Sequence, residues 1–276
     1  PYSLLREYNV YMISYVGEQM AGLIERINAE YDGEMYRHLE REYYGQSGYY
    51  NFGYWLRDTR NQNEASENLM EKLLACVPEK KGVILDVACG MGATTRYLLR
   101  YYSPSNVVAV NISQKQLETA RSNAPGCRFV QMNAADLAFE HSSFDTVVCV
   151  EAAFHFDTRE RFVHEAYRVL KPGGRLSLSD MIFARLPNHA TLPERNFIKD
   201  LEAYKELYLQ AGFDEVEVVE TTNQCWKGFR RQVMGRLCRG ALTRKVAVRD
   251  ATARLLWVIG VGVALKHYLL VSAKKR

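Results

Sequence analysis

A histidine and an aspartate close two neighbouring apolar runs, and together they could take a proton from a hydroxyl. Val150-Glu151-Ala152-Ala153-Phe154-His155-Phe156 sets an imidazole among aromatics, and Leu178-Ser179-Asp180-Met181 ends on a carboxylate. Imidazole, with an unperturbed pKa of about 6.5, is the commonest general base near neutral pH. A carboxylate beside it fixes its tautomer and raises its basicity. A second group lies upstream in Gly82-Val-Ile-Leu-Asp86-Val-Ala88-Cys-Gly90-Met-Gly92. An acid inside a buried strand is costly unless something binds it. Gly90 and Gly92 let the backbone turn sharply and approach a ligand. The helix that follows opens with unpaired amide donors. Such a site suits a nucleotide-like cofactor.

The elements needed to position these groups are legible from about residue 80 onward as alternating strands and helices, an α/β pattern with a mainly parallel sheet covered on both faces. Strands are expected at 83–87, 106–111, 127–132, 144–151 and 175–182, then at 214–221 and 267–274. Ser113 caps a helix to about Asn123, and Asp157 or Thr158 caps another from Arg159 to Leu170. Glu194 to Ala211 is expected to be helical, stopped by Gly212. Ligands of such sheets bind beyond the carboxyl ends of the strands, where Gly90, Asn111, Asn133, His155 and Asp180 all fall. Ahead of the sheet, Tyr2 to Leu39 and Ala65 to Val77 read as helical. Between them, Tyr43 to Trp55 is densely aromatic, broken by glycines, and too irregular for a helix stripe.

With 276 residues, 47% hydrophobic and 25% charged, the composition is that of a globular protein. The formal charge is +4 without a clear Lys/Arg cluster before the terminal Lys274-Lys275-Arg276, so no nucleic-acid footprint is read. Six scattered cysteines without a C-x-x-C pair point to a reducing, cytoplasmic setting and no metal site. No signal peptide is visible, although the chain begins at Pro1. Leu255 to Leu265 is the most apolar stretch, but a membrane span needs roughly 20 such residues, so stable membrane insertion is not expected. His141, His164 and His189 fall in loop or helix-surface contexts.

The run from Asp86 to Gly92, an acid four residues before Gly-x-Gly, resembles the first motif of the class I S-adenosylmethionine-dependent methyltransferases. The resemblance is strong over residues 80–183. It implies a Rossmann-like seven-stranded sheet whose last two strands pair antiparallel at one edge. It also implies that Asp86, Ala88, Gly90 and Gly92 lie against the methionine and ribose of the cofactor. Asn111, where an acid is usual, would reach the ribose, with Gln116 near the adenosine and Ile112 a further cofactor contact. Asn133-Ala134-Ala135 resembles the adenine-side motif, with Asn133 in place of its Asp. Tyr50 and Glu151 complete the expected cofactor contacts.

Within the family, the His-Asp pair is similar to small-molecule, natural-product O-methyltransferases. That likeness implies His155 as base and Asp180 as helper, with Tyr44, Tyr54, Phe154 and Phe156 lining the acceptor. The implied acceptor is a hydroxyl on a mid-sized, partly apolar product, such as a polyketide, peptide-linked or glycosylated compound. N- or C-methylation, including of a sterol- or tocopherol-like acceptor, is the alternative within the class. A nicotinamide-dependent oxidoreductase is a second reading, opposed by Thr95 at the third glycine of G-x-G-x-x-G and by Asn111. A non-catalytic cofactor-binding module is a third. The expected organisation is an N-terminal helical and aromatic lid segment over 1–79 and a catalytic domain over 80–276. Helical insertions at 184–196 and 226–265 would form a cap or the surface of a homodimer.

Overall fold

The computed structural model describes residues 22–184, 191–242 and 248–276. Val, Ile and Leu runs that are apolar on both sides of the strand build its centre. Strands β1 (Ile84–Val87) and β2 (Val107–Asn111) are buried at every position. With β3 (Arg128–Gln131), β4 (Phe144–Val150), β5 (Leu170–Phe183), β6 (Phe213–Glu220) and β7 (Leu265–Lys275) they form one seven-stranded sheet in the order β3-β2-β1-β4-β5-β7-β6. Strands β1 to β5 pair in parallel, and β7 runs antiparallel to both β5 and β6. The expected fold, its antiparallel edge included, is the one observed.

Helices ahead of the sheet are α1 (Leu23–Glu34), α2 (His38–Tyr43) and α3 (Gln62–Ala75). Within it lie α4 (Ala93–Leu98), α5 (Gln114–Asn123), α6 (Arg159–Val169) and α7 (Leu201–Gln210). Helices α8 (Trp226–Leu242) and α9 (Val248–Ala264) connect β6 to β7. One apolar cluster fills the face of the sheet under α6 and α7, around Phe162, Leu176 and Tyr204. The other joins α3, α4, the aromatic run and the α8–α9 pair around Leu73, Phe52 and Phe229. Each fully buried Leu, Ile or Phe contributes about 1.5–3 kcal/mol to that packing.

Several expected boundaries shift. The helix expected through Leu39 ends at Glu34, and a second begins at His38. Strand β5 starts at Leu170 rather than Arg175, because Leu170 already pairs with Phe144 across an irregularity in register. The helix expected from Glu194 starts only at Leu201, where Asp200 accepts from the Ala203 amide as its cap. Upstream, Asn196 is drawn inward. Its amide donates to the carbonyls of Phe154 and Phe156 at 3.0 and 2.6 Å, and its oxygen accepts from the Arg159 amide. Residues 1–21 (the start of the helix expected over Tyr2 to Leu39), 185–190 (with His189) and 243–247 (within the expected 226–265 insertion) lie outside the described residues.

Candidate functional site

A cavity of about 330 Å³ opens beyond the carboxyl ends of β1, β2 and β4, under α1 and part of the aromatic run. Its wall brings together, from the residues expected at the site, Tyr50, Ala88, Gly90, Asn111, Ile112, Gln116, Asn133, Ala134, Glu151, His155 and Phe156. Two non-glycine residues at this wall hold left-handed backbone, Ala88 at φ 59° and Glu151 at φ 50°. Such conformations cost about 1–3 kcal/mol each and concentrate at functional sites. Gly90 has φ 53°, and a Cβ there would come within 3.3 Å of the Met35 methyl, narrowing the cavity.

Several expected residues stand off the cavity, each for a physical reason. Asp86 is buried and accepts from the hydroxyls of Thr94 and Thr95 at 2.8 and 2.7 Å. Burial pushes its carboxyl up to about 6, against the lowering pull of those two donors. The acid therefore ties β1 to the start of α4, and Thr95 replaces the third glycine as its donor. Gly92 (φ 81°) serves packing, since a Cβ there would sit 2.8 Å from Ala120 of α5. The Ala135 amide donates to Asn133 Oδ1 at 2.9 Å, closing the turn and turning Ala135 away from the wall. Tyr44 stacks between Tyr50 and Phe229, Tyr54 lies under the Lys72 ammonium, and Phe154 lines a separate small cleft with Phe183, Leu192 and Phe197.

The pairing of His155 with Asp180 is corrected by the geometry. Asp180 is fully buried and accepts from Arg159 Nε at 2.7 Å, the Tyr204 hydroxyl at 2.9 Å and the Met181 amide at 2.8 Å. It is the counter-ion of a buried arginine on α6. His155 is positioned instead by Thr191, whose carbonyl lies 2.6 Å from Nδ1. A carbonyl only accepts, so Nδ1 carries the proton and Nε2 is the accepting nitrogen of the neutral ring. Tyr31 of α1 donates to that Nε2 at 2.6 Å. Burial holds the phenols of Tyr31, Tyr44 and Tyr50 well above their usual range, so all three stay protonated donors.

Residues missed in the sequence come mostly from α1, whose pattern gave no chemical signal. Asp32 Oδ1 accepts from Ser113 Oγ and from Gln116 Nε2, both at 2.7 Å. Gln116 Oε1 in turn accepts from Asn111 Nδ2 at 2.8 Å. Asp32, which is not on the cavity wall, thus ties α1 to the start of α5 and, through Gln116, to Asn111. Tyr50 donates to Glu34 at 2.5 Å. Asn51 is 2% exposed at the cavity wall, yet both ends of its amide lack a partner, as does Asn28 Oδ1 of α1 at the same cavity. Buried polar atoms left this way cost about 1–3 kcal/mol each, which points to a polar ligand. Glu151 Oε1 accepts from the Phe52 amide at 2.7 Å and the Tyr268 hydroxyl at 2.5 Å, and burial still pushes it up to about 8. Among the described residues no group of three or more His, Cys, Asp or Glu is set to hold a metal.

Residues 85–178 match the methyltransferase domain family. Erythromycin 3''-O-methyltransferase of Saccharopolyspora erythraea is 28% identical over 197 residues, which take in 63% of this chain and 64% of that protein, just under two thirds of its length. Among solved structures, the [4+2]-cyclase SpnF superposes with a TM-score of 0.69 at 21% identity, over 90% of this chain and 94% of that one. A geranyl diphosphate methyltransferase in complex with GPP and sinefungin gives 0.70 at 16% identity, over 92% and 100%. At such identities the structures speak for the fold.

Sheet order, glycine turn and sequence kinship together support a class I S-adenosylmethionine-dependent methyltransferase, with the methyltransferase domain itself matched over residues 85–178. The family's cofactor is S-adenosylmethionine, and the residues present fit it. The cavity is within the usual range of ligand sites, about 300–1,000 Å³. Asn51 and Asn28 offer polar atoms in need of partners, and Gly90 keeps the wall open.

Proposed function

We propose that this chain transfers a methyl group to a hydroxyl of a mid-sized, partly apolar natural product, with His155 as general base. The observation that carries the reading is the fixed tautomer of His155 at the cavity wall, with Nδ1 donating to Thr191 and Nε2 accepting. When bound, S-adenosylmethionine would supply an electrophilic methyl on a sulfonium. Gly90, Asn111, Gln116, Asn133 and Ala134 would hold the nucleoside part, and Asn51, Tyr50 and Glu151 the polar remainder. The chain's own contribution is positioning and proton removal. His155 Nε2 takes the proton of the acceptor hydroxyl once Tyr31 yields its place or relays the proton through its own oxygen. Phe156 and the Tyr31 and Tyr50 rings give the acceptor apolar walls, and closure of α1 over the cavity keeps water out.

The erythromycin relative supports oxygen as the acceptor atom. The geranyl diphosphate methyltransferase neighbour supports a second reading, C-methylation, for which the carboxyl of Glu151, on the same cavity wall as Tyr31 and Tyr50, is the group of interest. The SpnF neighbour, described as a cyclase, shows that one fold carries more than one reaction. The test is His155→Ala with a panel of hydroxylated polyketides and macrolides. General-base catalysis is worth about 10²–10⁴-fold, so turnover should fall by that factor while S-adenosylhomocysteine binds as before. Full activity in the variant would reduce His155 to wall lining.

A further inference from the structure

Positive charge is concentrated in one part of this chain. Between residues 226 and 264 the sequence holds nine Lys or Arg and a single acid, Asp250, a net +8, so the remaining residues sum to −4 against +4 for the whole. That stretch carries α8 and α9, the pair that links the two antiparallel edge strands. Arg254 is turned inward onto Glu40, with its guanidinium over the rings of Tyr43 and Trp257. Lys227, Arg230, Arg231 and Arg249 are exposed.

The same pair exposes apolar surface. On α9, Leu256, Ile259 and Val263 are 54%, 53% and 80% exposed. They recur three and four residues apart, so they form one stripe along the helix. The opposite side of α9 is occupied: Val258 is buried, and Trp257 packs edge-on against Trp226 and Phe229 of α8. Arg249 stands seven residues before Leu256, two helical turns back on the stripe's own side. Beyond the other end of α9, the exposed Lys266 ammonium lies 5.8 Å over the ring of Phe197, itself 43% exposed.

We propose that the α8–α9 face docks on an anionic lipid bilayer, with α9 lying in the headgroup plane. An apolar stripe with cations at its ends matches the two attractions of such a surface: shallow burial of aliphatic side chains, and the negative potential of the headgroups. Charge complementarity selects this occupant over a second copy of the chain, because a symmetric contact would bring the exposed cations of both copies together. No helix among the described residues is long and apolar enough to cross a membrane, so the contact is peripheral. The docking surface stands apart from the cavity and does not depend on which acceptor the cavity takes.

The test is flotation of the full chain with phosphatidylcholine vesicles, with and without phosphatidylglycerol, at low and high salt. Binding is expected on the anionic vesicles and should weaken as salt rises. Ile259→Asp combined with Val263→Asp should lower partitioning by about tenfold or more. Its melting temperature and S-adenosylhomocysteine affinity should match the parent, since both positions are on the surface. Arg249→Glu with Lys266→Glu should remove most of the salt-sensitive part. Absence of binding to anionic vesicles at low salt would overturn the proposal. So would partitioning unchanged by the two aspartates, or a stable dimer on size exclusion that those aspartates split.

Discussion

Glu151→Gln isolates one buried ionisation at the centre of the site. Glu151 Oε1 holds two donors, the Phe52 amide and the Tyr268 hydroxyl, and a glutamine oxygen can hold the same two. What the amide removes is the charge. In the folded chain the carboxyl is pushed up from 4.5 to about 8, chiefly by burial. A raised folded-state pKa means that the stabilising contribution is complete below the unfolded value. It is then lost progressively as pH rises to the folded value, and is constant above it. Between pH 6 and pH 9 the loss covers about two pKa units, worth about 3 kcal/mol. Water in the adjoining cavity can only reduce this figure. For a chain of this size, 3 kcal/mol corresponds to roughly 6–12 °C in melting temperature. The assay is thermal or urea unfolding of both proteins, without cofactor, across that pH range. Other titrating groups are common to both, so the difference curve reports Glu151 alone. It should rise steadily in favour of glutamine up to about pH 8 and then flatten. Parallel curves, agreeing within about 0.5 kcal/mol throughout, would refute a neutral Glu151 and with it the assigned burial of the carboxyl.

Asp86→Ala leaves the Thr94 and Thr95 hydroxyls without their acceptor and should cost about 2–4 kcal/mol, with weaker cofactor binding following from the displaced turn; an unchanged urea midpoint would contradict this. Asp180→Ala strands the buried Arg159 guanidinium and should cost about 3–5 kcal/mol; Arg159→Met with Asp180→Leu should recover most of it, and activity per folded molecule should persist, which a catalytic Asp180 would not allow. Asp32→Ala removes the shared acceptor of Ser113 and Gln116 and should raise the dissociation constant for S-adenosylhomocysteine about tenfold, equivalent to about 1.4 kcal/mol. Titration calorimetry reads that change, and an unaltered constant would show that α1 has no part in holding the nucleoside.

The sheet was legible because its central strands are buried on both faces and so read as uninterrupted apolar runs, as in Val107–Asn111 and Phe144–Val150. The positions of site residues at strand ends followed from that. Orientation did not follow. Successive residues of a strand face opposite sides: Ser179 accepts from the Glu151 amide, while Asp180 faces Arg159 and Tyr204. Closeness of two strand ends therefore did not make Asp180 a partner of His155. The motif acid Asp86 misled in another way. A buried carboxylate needs donors, but nothing in the sequence says whether they come from a ligand or from the next turn, and here Thr94 and Thr95 supply them. The aromatic run was legible as one segment but divides in space. Tyr49, Tyr50 and Asn51 face the cavity, while Phe52 stacks on Phe229 and joins the packing of α8 and α9.

Helix α1 was the least legible part and the one that couples the two ends of the site. No residue of α1 itself is fully buried; Met35, just beyond it, is the first that is. Its hold on the sheet is polar: Tyr31 on His155, Asp32 on Ser113 and Gln116, and Glu34 on Tyr50. An element with few buried apolar contacts opens at lower free energy than the core it covers. Each net hydrogen bond is worth about 0.5–1.5 kcal/mol, so these side-chain ties and the Lys115 bond to the Asp32 carbonyl hold α1 less firmly than the sheet holds its own strands. The ties run from His155 to Gln116. Release at Gln116 would also withdraw Tyr31 from His155 Nε2, so under the proposed function nucleoside contact and exposure of the base would be set by the movement of a single helix.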